Sequence, residues 1–161
     1  MNIFEFARDK EKQAEVIYRK LSGSPLSEGM RAIYLRLADA ESRHYEILRK
    51  MEAAQKVELL NTDILQFAQK TIHQMKSGGG KFEAATEEIE VYKLAQAQEV
   101  EAEKFYQEHA EKTTDENHRK IFLALATEEH QHATILENIT EFISYPAKHP
   151  EDAEFHALEE K

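Results

Sequence analysis

The sequence predicts an all-α protein built as a four-helix bundle. The first observation is a pattern that occurs twice. Glu11 is followed thirty residues later by Glu41-Ser-Arg-His44, and Glu99 is followed thirty residues later by Glu129-His-Gln-His132. The second is low turn content: 161 residues hold only five Gly and three Pro, and three of the Gly are adjacent, so the elements are few and long. The third is a shared helical face. Phe4, Ala7, Ala14 and Tyr18 stand around Glu11 as Tyr92, Ala95, Ala102 and Tyr106 stand around Glu99. Offsets of three, four and seven return to one side of a helix. Ile33, Leu37, Ala38, Ile47 and Leu48 likewise match Ile121, Leu125, Ala126, Ile135 and Leu136. The repeating unit is a helix pair, and two pairs make a bundle.

Helix A is expected over about Ile3 to Leu21, ended by Ser22-Gly23-Ser24-Pro25, where Ser24 and Pro25 suit the N-cap and first turn of the next helix. Helix B follows to about Ala54, with Ile33, Leu37, Ala40, Glu41, His44, Leu48 and Met51 on one stripe. A long connection then reaches about Lys81. It contains a short amphipathic helix, capped by Asn61-Thr62-Asp63, that places Ile64, Leu65, Ala68, Ile72 and Met75 on one side and breaks at Ser77-Gly78-Gly79-Gly80. Helix C spans about Phe82 to Lys112. Thr113-x-x-Glu116 reads as a capping box, and helix D runs to about Phe142 with Phe122, Leu125, Glu129, His132, Leu136 and Ile139 inward. The domain is thus residues 1–144. A tail over 145–161, with Pro146, Pro150 and several acids, is expected to pack loosely or against a partner subunit.

Short A–B and C–D links make each pair antiparallel. Helix B is roughly 40 Å long, and the B–C link can cover that length, so C is expected to run parallel to B after a crossover. The glycine run also permits C and D to swap into a second chain, giving a homodimer.

Composition narrows the function. Hydrophobic residues make up 41% and charged residues 32% of the chain. No cysteine means no disulfide, thiol catalysis, zinc-thiolate module or iron–sulfur centre in this polypeptide. The net charge of −10 disfavours nucleic acid, whose phosphates need a basic face. No apolar run is long enough to span a bilayer, and the first residues lack the basic and apolar regions of a secretory signal, so cytoplasm is the expected compartment.

The doubled pattern carries the chemistry. Glu and His three apart share a face, and the other residues of that face are Leu, Ile and Ala, so Glu41, His44, Glu129 and His132 point into the core. Burying one unpaired carboxylate costs several kcal/mol. No Lys or Arg lies on these stripes, whereas two divalent cations would balance four Glu with both His neutral. Carboxylate and imidazole without thiolate suit iron or manganese and accept zinc or cobalt; two imidazoles argue against calcium and magnesium. Iron is the expected pair, because two irons can be oxidised together by dioxygen or peroxide. Tyr18 and Tyr106 either donate hydrogen bonds to the ligand carboxylates or fill the bundle core. Glu15 and Glu103, also repeated, read as surface helix charge, with an alternative role at the metals open. His130 should face solvent, and His73, His109, His118, His149 and His156 belong to no motif and read as surface residues.

The segments Glu11-Lys-Gln-Ala-Glu-Val-Ile-Tyr18, Leu37-Ala-Asp-Ala-Glu41-Ser-Arg-His44, Glu99-Val-Glu-Ala-Glu-Lys-Phe-Tyr106 and Leu125-Ala-Thr-Glu-Glu129-His-Gln-His132 resemble the ferritin-like superfamily, most closely its rubrerythrin branch. The resemblance covers roughly residues 3 to 142. It implies Glu11 and Glu99 as terminal ligands, Glu41 and Glu129 as bridges, and His44 and His132 as one imidazole per ion. Two departures stand out. Rubrerythrins carry a further Glu three residues after the helix C ligand, where this chain has Ala102, and a C-terminal rubredoxin domain, which needs the cysteines this chain lacks. The remaining set resembles the more symmetric centre of a bacterioferritin.

The leading functional expectation is a di-iron oxidoreductase that reduces peroxide or dioxygen and takes its electrons from a separate donor. Iron storage is the first alternative; it needs a closed shell, against which stands the lack of a fifth helix after Phe142. A metal-stabilised structural bundle without turnover is the second.

Overall fold

A computed structural model describes residues 2–23, 27–59, 62–78 and 86–148, with side chains in the last helix up to residue 143. Five helices follow in order: α1 (Ile3–Gly23), α2 (Glu28–Glu52), α3 (Ile64–Ser77), α4 (Thr86–Lys112) and α5 (Glu116–Lys148). The protein is all-α, as the repeat predicts.

Local chemistry starts and stops these helices. The Asn2 side chain accepts from the Glu5 amide at 2.8 Å and caps α1. At α2 the cap is Ser27, whose hydroxyl accepts from the Met30 amide at 3.1 Å. The expected cap, Ser24 with Pro25, lies outside the described residues. At α5 the cap is Asp115, which accepts from the Asn117 and His118 amides at 2.9 and 3.0 Å. This corrects the expected Thr113–Glu116 box: Thr113 instead accepts from the Asp115 amide at 3.2 Å and shapes the turn before the cap. Helix α2 closes with the Gln55 amide bonded to the Lys50 carbonyl at 2.8 Å and the Ala54 amide to the Met51 carbonyl at 3.1 Å. That closure puts Ala54 at φ 56°, the left-handed region. Helix α5 continues to Lys148, beyond the expected end near Phe142.

Side-chain bonds give the helix directions. Arg8 meets Glu52 and Arg19 meets Asp39, each at 3.2 Å, so α1 and α2 are antiparallel. Tyr18 reaches Glu99 and Tyr106 reaches Glu11, so α1 and α4 are antiparallel as well. Hence α4 runs parallel to α2, the expected crossover. Helix α3 lies antiparallel on α2, with Asp63 against Arg36 at 3.4 Å and Ser27 against the Met75 sulfur at 3.1 Å. Gly29 is the point of closest approach: a Cβ there would stand 2.9 Å from the Thr71 methyl.

The core falls into two apolar halves. One gathers Met30, Ile33, Tyr34, Leu37, Ile135, Leu136 and Ile139 under α3. The other gathers Ile47, Leu48, Met51, Ile121, Phe122 and Leu125. Each fully buried Leu or Ile contributes about 1.5–3 kcal/mol of apolar transfer. Between the halves lies a polar layer, placed there by the central Glu and His of all four long helices. Among the described residues, no helix is long and apolar enough to cross a membrane.

Candidate metal centre

The polar layer contains all six side chains singled out by the repeat. Glu11, Glu41, Glu99 and Glu129 are at most 3% exposed, and His44 and His132 are fully buried. Their ligand atoms form two overlapping groups. Glu11, Glu41, His44 and Glu129 make one; Glu41, Glu99, Glu129 and His132 make the other; within each, one atom per residue lies within 4.8 Å of all the rest. Glu41 and Glu129 belong to both groups. The two imidazoles lie nearly parallel, 8° apart with centroids separated by 5.7 Å.

These atoms converge, and only some of them pair: Nδ1 of His132 meets Glu41 Oε1 at 2.8 Å. Nδ1 of His44 stands 2.6 Å from Glu129 Oε1 and 3.4 Å from Glu11 Oε2, yet Nδ1 makes no aligned hydrogen bond. Glu11 Oε2, Glu99 Oε2, Glu129 Oε1 and His132 Nε2 are likewise buried without a hydrogen-bond partner among the described residues. Buried polar atoms left this way cost about 1–3 kcal/mol each. Lone pairs aimed at a common point, rather than at donors, are what a bound cation requires, so this donor set fits a pair of divalent ions.

The electrostatics agree. Burial, together with the charges on Glu11, Glu129 and Glu99, pushes Glu41 well above the ordinary carboxylate range. Burial and the charges on Glu11 and Glu99 do the same to Glu129. Burial would also raise Glu99, but bonds and charge from Glu129, His132 and Tyr18 outweigh it and bring Glu99 to about 2. Glu11 is lowered against burial by His44 and by bonds from Glu41 and Tyr106. His44 is raised well above its ordinary value, because Glu11, Glu128 and Glu129 outweigh the opposing effect of burial. Without a cation, therefore, burial and mutual repulsion favour the neutral forms of the two shared carboxylates, and the surrounding carboxylates favour the charged form of His44. Protons held this way would stand in for the positive charge the layer lacks.

The tyrosines do both of the things considered for them. Tyr18 and Tyr106 are buried in the core, and their hydroxyls donate to Glu99 at 2.6 Å and to Glu11 at 2.5 Å. Each spans from one helix pair to the other. Glu15 is 9% exposed and held by Lys12 and Arg19 at 3.2 and 2.8 Å, away from the layer; it is more enclosed than a free surface charge. Glu103 meets the exposed His130 at 3.1 Å. Two histidines read as surface residues pack against aromatics instead: His109 lies 4.3 Å from Phe105, and His118 lies 5.9 Å from Phe4. Helix α4 ends and α5 begins beside these rings, which a linear pattern does not reveal. His73 is exposed; His149 and His156 lie outside the described residues.

One contributor escaped the sequence reading. Glu128 bonds the outer nitrogen of His44, Nε2, and is itself held by Arg43 at 2.9 Å and by the Thr62 hydroxyl at 3.4 Å. Off the apolar stripe and next to Glu129, it reads as a solvated acid. Its one signal is a break in the repeat. Matching residues stand 88 positions apart, and there Glu128 falls opposite Ala40, as Arg43 falls opposite Gln131.

A cavity of about 250 Å³ between α1 and α4 opens onto the layer. Ala7, Ala14, Ala95 and Ala102 line it, with Phe6 and Phe105 alongside and the carboxylates of Glu11, Glu41, Glu99 and Glu129 within it.

The family model for Rubrerythrin matches residues 2–140, a span that includes all six Glu and His of the layer. The chain belongs to the rubrerythrin family. No curated protein and no solved structure matches it. The buried Glu/His cluster of this rubrerythrin-family chain is compatible with a di-iron site.

Proposed function

We infer that the chain is a non-haem di-iron protein that reduces peroxide or dioxygen. The observation that carries this reading is the pair of overlapping ligand groups sharing Glu41 and Glu129 inside a layer otherwise short of positive charge. Glu11 and His44 would hold one ion, Glu99 and His132 the other, and the shared carboxylates would touch both. When bound in the ferrous state, the pair supplies two electrons to the oxidant.

The chain's own groups do the rest. The alanine-lined cavity would admit a small oxidant to the carboxylates, and the rings of Phe6 and Phe105, packed on each other with centroids 5.5 Å apart, form part of its wall. Tyr18 and Tyr106 hold Glu99 and Glu11 in place by hydrogen bonds and keep their own protons, since burial and the charges on Glu99 and Glu11 raise both phenols well above the ordinary range. With no cysteine to hold an iron–sulfur or rubredoxin-type centre in this chain, a separate donor would restore the ferrous state.

Anaerobic loading with ferrous iron followed by peroxide tests the reading. Wild type should bind two irons per chain and oxidise them with the absorption of a carboxylate-bridged ferric pair. Glu41→Ala and His132→Ala should oxidise at least about a hundredfold more slowly, in line with losing a ligand that positions the reacting ion. Oxidation at the wild-type rate in either variant overturns it.

A further inference from the structure

The two imidazoles of the layer are related by the repeat, yet their outer nitrogens are treated differently. Nε2 of His44 is bonded by Glu128, which Arg43 and Thr62 fix from the other side. Nε2 of His132 is buried and meets no hydrogen-bond partner among the described residues. By the repeat, Ala40 and Gln131 correspond for His132 to Glu128 and Arg43 for His44, and Ala40 has no side-chain group that can accept.

The consequence follows from imidazole chemistry. Each ring presents Nδ1 toward the carboxylates: His44 toward Glu129, His132 toward Glu41 at 2.8 Å. To ligate through Nδ1, a neutral ring must carry its proton on Nε2. Glu128 accepts that proton from His44, which fixes the tautomer, orients the ring and makes Nδ1 more basic. His132 must bury the same N–H with no acceptor. An outer carboxylate of this kind changes metal affinity by about 10–100-fold. Ring placement does not offset the difference, since the two rings are nearly parallel at one level of the bundle.

We propose that the two ion positions are unequal: Glu11 and His44 hold a resident ion, and Glu99 and His132 hold an exchangeable one. Glu128 is the positioning residue that sets the difference. The inference rests on the dinuclear reading above, and it gives the centre a direction. The ion beside His132 is the one lost first to a chelator, and the one replaced when a second metal is offered.

The test is titration of the metal-free full-length protein with cobalt(II), followed by visible absorption and calorimetry. Wild type should take one ion per chain tightly and a second about 10–100-fold more weakly. His44→Ala should abolish the tight step and His132→Ala the weak one. Glu128→Ala should bring the two affinities together, and Glu128→Gln, which keeps an acceptor without charge, should lie between. Nitrogen-15 spectra of the zinc-loaded protein should show His44 in a single Nε2–H form in wild type, lost in Glu128→Ala while helix content is unchanged. A purely structural Glu128 would leave that signal in place. Equal affinities in wild type, or an undiminished separation in Glu128→Ala, overturn the proposal; the second result would mean that repulsion between the ions makes the two steps. Failure to bind two ions at all would instead overturn the dinuclear reading.

Discussion

Tyr18 donates a 2.6 Å hydrogen bond to Glu99, although 81 residues separate them. Tyr106 returns the same bond from the second helix pair to Glu11. These crossed bonds tie together α1 and α4, whose facing alanines leave the cavity between them, and they hold a carboxylate of each ligand group.

Tyr18→Phe leaves the ring in the core and removes only the donor. Glu99 then loses a charge-assisted bond of about 1.5–3 kcal/mol. Affinity for divalent metal should fall by about tenfold, measured by chelator competition. A tyrosine that served only as core filler would leave affinity unchanged.

Metal affinity should rise steeply with pH. Glu41, Glu129 and His44 are all raised in the metal-free layer, which favours their protonated forms, so loading should expel protons and acidify a weakly buffered solution. Stability of the metal-free protein should move the other way. The raised carboxyls of Glu41 and Glu129 must be neutral when folded, which costs stability as pH climbs above their unfolded value of about 4.5. The raised His44 stabilises the fold below about pH 6.5, and that contribution is lost as pH rises through its folded value. Thermal melts from about pH 5 to about pH 8 should therefore fall without metal and rise with it. Parallel slopes would show that the layer does not hold these protons.

Acid should act through Glu128. Its carboxyl is brought to about 2 despite burial, by the hydrogen bond and charge of His44 and by Arg43. The stability it adds is present above the usual carboxylate value and disappears as pH falls toward about 2. Glu128→Gln should flatten this part of the pH–stability curve, measured by urea unfolding.

Filling the cavity should separate entry from binding. Ala102→Phe places a ring among Ala14, Phe105 and Tyr106, which line the same space. Oxidation of the ferrous protein by peroxide should slow at least about tenfold while two metals still bind with wild-type affinity. An unchanged rate would move the route of entry elsewhere.

Ala54→Gly should stabilise the protein by about 0.5–1 kcal/mol. Ala54 holds φ 56° at the end of α2, a conformation that costs a side-chain-bearing residue about 1–2 kcal/mol and glycine little, partly offset by glycine's freer unfolded chain. Urea unfolding of the two proteins measures it, with metal binding unaffected.

Much of this protein can be read along the chain because helices convert spacing into direction. Glu41 and His44, or Glu129 and His132, share a face by arithmetic, and the duplication leads to a bundle of paired helices with a crossover. The same logic fails where several residues suit one local role, or where partners lie elsewhere. Asp115 caps α5 where Thr113 was equally suitable by type. His109 and His118 look solvated until Phe4, Phe105 and Phe122 close around them.

Residue type and period were enough to bring four carboxylates and two imidazoles into an apolar interior. They could not tell the two halves of the centre apart, because each half has nearly the same pattern. That difference exists only once α2 and α5 dock antiparallel and the connection after α2 passes over them. Then Glu128, Arg43 and Thr62 meet behind His44, while Nε2 of His132 finds no partner among the described residues. Contacts between residues far apart in the chain carry no periodic signal, and here they decide which imidazole is held.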